Sequence, residues 1–548
     1  MDNSPPPTKH LLEMRGLRID GQSGDEWLEI VKGIDLTLDR GKMLGLIGES
    51  GAGKSTIGLA AMGFARPGCR ISAGEILFDG VDLRELRLKD RRLLRGVRIA
   101  YVAQSAAASF NPAHRLIDQF SEIPVEHGVS SKSAAEADAI DLFTQLQMPF
   151  PDTIGFRYPH QVSGGQLQRA MTAMALSCRP DLIIFDEPTT ALDVTTQIEV
   201  LATIRNIVEQ FNTAAIYITH DLAVVAQMSD KIIVLRYGEK IEEADTRVML
   251  SDPKDEYTKS LWAVRSFTKT SAPPEHEPVP LLRVDHVTAG YGKVTVLRDI
   301  SFDIHRGQTV AVVGESGSGK STTARVITGL LPPGQGTVQF DGVPLPADYR
   351  NRTKEQLRQT QMIYQMADTA VNPRHRIRDI VGRPLSFYLG LSGAKLEQRI
   401  RDLLDMIELD PDVFIDRYPG ELSGGQKQRI CIARALAAEP KFIICDEVTS
   451  ALDQLVAEGI LKLLDRLQQE FNLAFMFITH DLATVRAIAD RVVVMLQGEI
   501  VEQGSKDTVF NPPHHEYTEL LLSSVPEMDP DWLSNRLKST VDTSDLIR

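Results

Sequence analysis

A chain of 548 residues is too long for one ordinary domain and suggests two to four. With 43% hydrophobic and 24% charged residues it has the composition of a globular, soluble protein. The formal net charge of −14 comes with no basic stripe, which argues against a nucleic-acid partner. The opening MDNSPPPTKHLLEMRG has no basic stretch followed by an apolar run, so no signal peptide is expected. No run of 18 uncharged apolar residues occurs either, so no membrane-spanning helix is expected. Cys69, Cys178, Cys431 and Cys445 stand singly, without CxxC spacing, which suggests neither a disulfide framework nor a zinc site.

Taken in chain order, KMLGLIG is a short apolar run ending at glycine, and it reads as a strand buried on both faces. The next residues are GESGAGKST: Gly48, Glu49, Ser50, Gly51, Ala52, Gly53, Lys54, Ser55 and Thr56. They match the phosphate-cradling P-loop. Its glycines let backbone N–H groups approach phosphate oxygens, and the following helix turns its positive end to the anion. In that pattern Lys54 reaches the β- and γ-phosphates and Ser55 offers a hydroxyl to Mg2+. A helical stretch, SAAEADAIDLFTQLQ, lies near the middle of the half. DLIIFDE follows as a second buried strand, ending on Asp186 and Glu187. Asp186 suits direct or indirect coordination of Mg2+, and Glu187 suits orienting or deprotonating an attacking water.

The chain then repeats itself. TKTSAPPEHEPVP, within residues 267–280, is rich in Pro, Ser and acidic residues and reads as a linker. TVAVVG leads into GESGSGKST: Gly314, Glu315, Ser316, Gly317, Ser318, Gly319, Lys320, Ser321 and Thr322. LEQRIRDLLDMIEL is the matching helical insert, and KFIICDE ends on Asp446 and Glu447. The two lysines are 266 positions apart, Gln104 and Gln365 are 261 apart, and Asp186/Asp446 and His220/His480 are each 260 apart. A duplication on this scale predicts two α/β domains, residues 1–266 and 281–524, and leaves 525–548 as a C-terminal tail.

VSGGQLQR and LSGGQKQR place the chain beside a known family: it resembles the ATP-binding cassette (ABC) ATPases. Ser163, Gly164, Gly165, Gln166 and Ser423, Gly424, Gly425, Gln426 match that family's signature. Gln104 and Gln365 match its Q-loop, Asp193 and Asp453 (in TALD and SALD) its D-loop, and His220 and His480 (in ITHDLA) its H-loop. The resemblance implies two tandem ABC-type P-loop domains, each with a helical signature subdomain. It implies ATP and Mg2+ as ligands, with the glutamines serving the metal and catalysis alongside Glu187, Glu447, His220 and His480. It also implies head-to-tail pairing, Lys54 working with Ser423 and Lys320 with Ser163, and so two competent sites.

Within that family three segments are similar to the oligopeptide, dipeptide and nickel import branch: SFNP and AVNP after the Q-loops, RYPHQVSGGQ, and PKDEYTKSL with PPHHEYTELL. In the last pair Glu256 and Glu516 replace the branch's usual proline. Other departures are Val162 opening the first signature, Val448 in DEVTS, and the altered segments QSAAAS and QMADTA. No cysteine cluster follows either cassette, so no iron–sulfur cluster is expected. Tyr291 stands where an adenine-stacking aromatic is expected, whereas the first half has Gly21 or Asp25 there, with Trp27 as a substitute or simply a packing residue. The resemblance implies a fused importer ATPase on the cytoplasmic face of a bacterial inner membrane. Its partners would be two transmembrane permeases and, indirectly, a periplasmic solute-binding protein. A twin-cassette protein acting on ribosomes is the alternative, but the short acidic linker and the negative charge speak against it.

Overall fold

The computed structural model describes residues 10–189, 192–263, 269, 279–450 and 452–536. Most of the expected linker and the Thr190, Ala191 and Ala451 positions of the D-loop segments lie outside these residues. The chain divides into two compact units. The first holds the residues up to Leu192, Thr196–Ala263 and the segment from Pro526; the second holds Asp193–Thr195 and the residues up to Val525.

Each unit is an α/β layered body. In the first, the apolar runs become a six-stranded sheet in the order Glu239–Asp245, Lys231–Arg236, Met43–Gly48, Ala214–Ile218, Leu182–Asp186, Ile99–Val102. All neighbours are parallel except the Glu239–Asp245 edge. Every residue of Met43–Gly48, Leu182–Asp186 and Ala214–Ile218 is buried, as expected of strands covered on both faces. A four-stranded antiparallel sheet, in the order Glu26–Leu38, Leu12–Ser23, Cys69–Phe78, Val81–Asp82, completes the layer. The helical insert comprises Leu116–Glu126 and Lys132–Gln145, which pack with the signature helix Gly164–Leu176 around Phe120, Leu142 and Phe143.

The second unit repeats the pattern. Its six-stranded sheet runs Thr360–Ile363, Phe442–Asp446, Ala474–Ile478, Thr309–Val313, Arg491–Leu496, Glu499–Ser505. Its helical insert is Ile377–Leu389 and Gly393–Met406, beside Gly424–Leu436. The effect of this topology is positional. The phosphate loop follows the central strand, and the next two strands on one side deliver His and then Asp–Glu from their C-terminal ends, where ligands of open α/β sheets bind.

The expected tail contributes to the first unit. Leu533 is fully buried in that unit's core and Trp532 packs against it. The Gln227 amide donates to the Glu527 carbonyl at 2.9 Å, and Arg247 pairs with Asp531 at 2.8 Å. In the second unit, Lys269 from the expected linker forms a 2.9 Å ion pair with Asp490, and both side chains are almost wholly buried. Asp490 also accepts the Thr309 N–H, pinning the start of the central strand.

Candidate active site

The phosphate loops begin with backbone that glycine alone tolerates. Gly48 and Gly314 have φ of 146° and 144°. A Cβ on either would meet a backbone carbonyl, Leu235 at 2.1 Å or Met495 at 2.2 Å. Glu49 to Ala52 and Glu315 to Ser318 then turn the chain, and Gly53 and Gly319 cap the helices that start at Lys54 and Lys320. Thr56 and Thr322 lie in the first turn of those helices. Both lysines are buried. Lys54 Nζ donates to the carbonyls of Gly48 (2.7 Å) and Glu49 (2.9 Å). Lys320 Nζ donates to Gly314 (2.8 Å) and Glu315 (2.7 Å). Burial depresses the Lys320 pKa, with the Glu447 carboxylate acting against it. An ammonium held on neutral carbonyls in this way has strong reason to move to a phosphate.

Beside each lysine a hydroxyl and a carboxylate meet. Ser55 Oγ donates to Asp186 Oδ1 at 2.9 Å and Ser321 Oγ to Asp446 Oδ1 at 3.1 Å. An all-oxygen pair of this kind fits Mg2+, a hard cation that keeps several waters and takes few protein ligands. Tyr101 also donates to Asp186 Oδ2, a contact that the motifs do not announce. Burial, and then the neighbouring Glu447 charge, push the Asp446 pKa up despite the Ser321 hydrogen bond.

Glu187 and Glu447 both sit at φ 50°, in the left-handed region. Such backbone costs on the order of 1–3 kcal/mol and persists where its surroundings hold it. Here each N–H is fixed on the next strand, at Ile218 O and Ile478 O, 2.9 Å away in both cases. The turn lifts the carboxylates out of the sheet to where the other strands end. Gln104 Nε2 donates to Glu187 Oε2 at 2.8 Å, and Gln365 donates to Glu447 Oε2 in the same way. His220 Nδ1 lies 3.2 Å from Glu187 Oε1, and His480 Nδ1 lies 3.4 Å from Glu447 Oε1. Burial disfavours both imidazolium ions, yet the adjoining glutamates raise both histidine pKa values. Lys, Ser, Asp, Gln, Glu and His, scattered over the sequence, therefore gather at one sheet end in each unit.

The signature residues occupy a separate element. Ser163 and Ser423 cap their helices by accepting from Gln166 N and Gln426 N at 3.3 Å, while the glutamine side chains accept the serine N–H in return. Gly164 and Gly424 face open space or ordinary contact, whereas a Cβ at Gly165 or Gly425 would meet Thr196 at 2.9 Å or Val456 at 2.4 Å. The first glycine of each pair thus leaves the helix end uncovered, and the second permits close packing. Asp453 caps helix Gln454–Phe471 by accepting from Val456 N, and Asp193 accepts from the Thr195 hydroxyl.

Tyr291 is 43% exposed at the end of strand Leu282–Tyr291, and its hydroxyl accepts from Arg325 Nη1 at 2.7 Å. Gly21 takes the corresponding strand position in the first unit, where a Cβ would meet Ile30 Cδ1 at 2.4 Å. Trp27 is 41% exposed, with the Arg70 guanidinium 4.2 Å from its ring centroid. Val448 is buried and Val162 packs against the first unit's core. The SFNP turn is pinned by Gln119, which bonds Asn111 N (2.8 Å) and O (3.1 Å). Beside it lies a cleft of about 390 Å³ lined by Asp118, Glu122 and Lys132. Tyr517 of HHEYT reaches the second phosphate loop, where its hydroxyl accepts the Glu315 N–H at 2.8 Å.

The model of the ABC transporter family matches residues 31–190 and 297–450. That of the oligopeptide/dipeptide transporter C-terminal region matches 501–545. The chain is 36% identical to the glutathione import ATP-binding protein GsiA of Pectobacterium atrosepticum, over 96% of this chain and 91% of that protein. It is also 36% identical to GsiA of Escherichia coli K12, over 95% and 90%. Among solved structures, CbiO1 from Clostridium perfringens, part of the CbiONQ ABC transporter complex, matches at 29% identity and a TM-score of 0.38. That match covers 42% of this chain and 90% of that one.

Proposed function

The chain belongs to the ABC transporter family, and from that premise we propose that it is the fused ATP-hydrolysing subunit of a bacterial importer for peptides or similar small solutes. The observation that carries the ATPase reading is the cluster found twice: a lysine on its own loop carbonyls, a Ser–Asp pair, and a glutamate held by Gln and His. The match to the oligopeptide/dipeptide transporter C-terminal region and the likeness to glutathione importers support peptide-like cargo.

In this reading each loop's N–H groups and its lysine, Lys54 or Lys320, bind the triphosphate. Ser55 with Asp186, and Ser321 with Asp446, would hold Mg2+, with Gln104 and Gln365 at hand. When bound, the ion neutralises phosphate charge. Glu187 and Glu447 orient the attacking water, and the imidazoles of His220 and His480 keep those carboxylates in place. Removing the γ-phosphate withdraws a contact present only with ATP, which is the differential needed to drive a conformational switch. The cleft beside SFNP, with its mixed charge, is a candidate seat for a permease. No helix among the described residues is long and apolar enough to cross a membrane. The likeness to import ATP-binding proteins supports placing the chain peripherally, on the cytoplasmic face of the inner membrane, with two permeases and an indirectly coupled binding protein.

The test is affinity purification of the chain from membranes of its native cell, followed by mass spectrometry. Two polytopic permeases in stoichiometric yield are expected. Ribosomal proteins, or no membrane partner, would overturn the importer reading.

A further inference from the structure

The Glu315 peptide is engaged on both sides. Its carbonyl takes the Lys320 ammonium at 2.7 Å and the Ser318 N–H at 3.2 Å. Its N–H goes to the Tyr517 hydroxyl at 2.8 Å, across 202 residues of sequence. Tyr517 is 7% exposed, and its ring packs among Ala311, Val313, Val485 and Leu521. Two of these belong to the strand that feeds the loop, and Leu521 belongs to the tyrosine's own helix, Glu516–Ser523. The helix is set by His515, whose side chain accepts the Tyr517 N–H at 3.1 Å. Tyr257 holds the equivalent place in the first unit, 7% exposed, with its hydroxyl beside the Glu49 amide but in no hydrogen bond of standard geometry. There Arg236 stacks on the ring at 4.4 Å and approaches Glu49.

We propose that Tyr517 is a positioning residue of the second nucleotide site: its hydroxyl holds the Glu315 peptide so that the phosphate loop and Lys320 are set for ATP. The C-terminal helix thereby tunes nucleotide affinity from outside the P-loop, and Tyr257 does so more weakly in the first unit. The inference rests on reading these loops as ATP sites. A phosphate loop binds through N–H groups that must converge together. Anchoring one of its peptides from outside narrows what the empty loop samples, and so lowers the cost of ordering it. Burial pushes the Tyr517 phenol up to about 12, so it stays neutral and acts as a dipole rather than a charge near the phosphates. Such an anchor serves ground state and transition state alike. Its loss should raise KM and leave kcat alone.

The experiment uses the full chain, with Lys54→Ala isolating the second site and Lys320→Ala isolating the first. Titration with MgATP reads affinity, steady-state turnover reads KM and kcat, and thermal melting reads stability. In the Lys54→Ala background, Tyr517→Phe should weaken ATP binding about threefold to tenfold, within the range of one neutral hydrogen bond. It should raise KM to match and leave kcat at saturating ATP unchanged. Tyr257→Phe, in the Lys320→Ala background, should have a smaller effect. Leu521→Ala, which loosens the same helix but keeps the hydroxyl, should lower the melting temperature and weaken ATP binding less than Tyr517→Phe does. An unchanged affinity in Tyr517→Phe overturns the proposal, as does a loss in Leu521→Ala as large as that in Tyr517→Phe. Undiminished ATP binding in the Lys54→Ala, Lys320→Ala double variant would instead refute the reading of the loops as ATP sites.

Discussion

His480 and Glu447 face each other inside the second unit, Nδ1 to Oε1, at 3.4 Å. Burial opposes charge on both groups, but their mutual attraction wins. The histidine is raised above its ordinary 6.5, and the glutamate, helped by Lys320, is held below 4.5. The histidine's share of the stabilisation is complete below pH 6.5 and fades as pH climbs through its raised value. The glutamate's share is present above pH 4.5 and is lost as pH falls through its lowered value. The pair therefore supports the fold most between these two limits. His480→Gln should cost on the order of 1 kcal/mol near pH 5.5 and less above neutrality, read from urea unfolding at several pH values.

Gly314 and Gly317 both have positive φ, but they differ in what surrounds them. A Cβ on Gly314 would drive into the Met495 carbonyl, part of strand Arg491–Leu496, while Gly317 faces open space. Gly314→Ala should abolish ATP binding at the second loop. Gly317→Ala should cost only about 1–2 kcal/mol of backbone strain and keep binding measurable. Nucleotide titration of both variants in the Lys54→Ala background checks the contrast.

Lys269 and Lys42 pair with aspartates at matching positions, Asp490 and Asp230, in very different surroundings. The Lys269 pair is about 5% exposed, whereas the Lys42 pair is about half exposed. Lys269→Ala strands a buried carboxylate and should destabilise the second unit by about 3–5 kcal/mol. Lys42→Ala should cost under about 1 kcal/mol. Chemical denaturation followed by hydrogen exchange in each unit distinguishes the two.

Leu533 is fully buried in the first unit although it follows the second cassette in sequence. Leu533→Ala should cost about 2–5 kcal/mol, and hydrogen exchange should show the loss in the first unit. Arg247→Ala, which removes only the exposed pair with Asp531, should be nearly neutral.

Much of the fold was legible because its central strands are continuous apolar runs, and burial on both faces leaves few other readings for them. KMLGLIG and DLIIFDE became Met43–Gly48 and Leu182–Asp186, and the helical inserts appeared at Lys132–Gln145 and Gly393–Met406. The phosphate loops, carboxylates, glutamines and histidines were visible as motifs, and strand topology brings them together. The contacts of four residues left no local trace. Tyr101 looks like any strand aromatic until Asp186 is set beside it. Tyr517 belongs to a recognisable C-terminal element, but its bond to Glu315 joins residues far apart in the chain. Lys269 and Leu533 lie in stretches without periodicity, and their burial comes wholly from tertiary packing.

The most direct test of the central claim, that both cassettes hydrolyse ATP, is steady-state turnover of the purified full chain carrying Glu187→Gln or Glu447→Gln alone. The geometry around the two glutamates is nearly the same, and each substitution should lower the rate by at least about half, with the double variant close to inactive. An unchanged rate in either single variant would show that its cassette does not contribute to turnover, and would contradict the account.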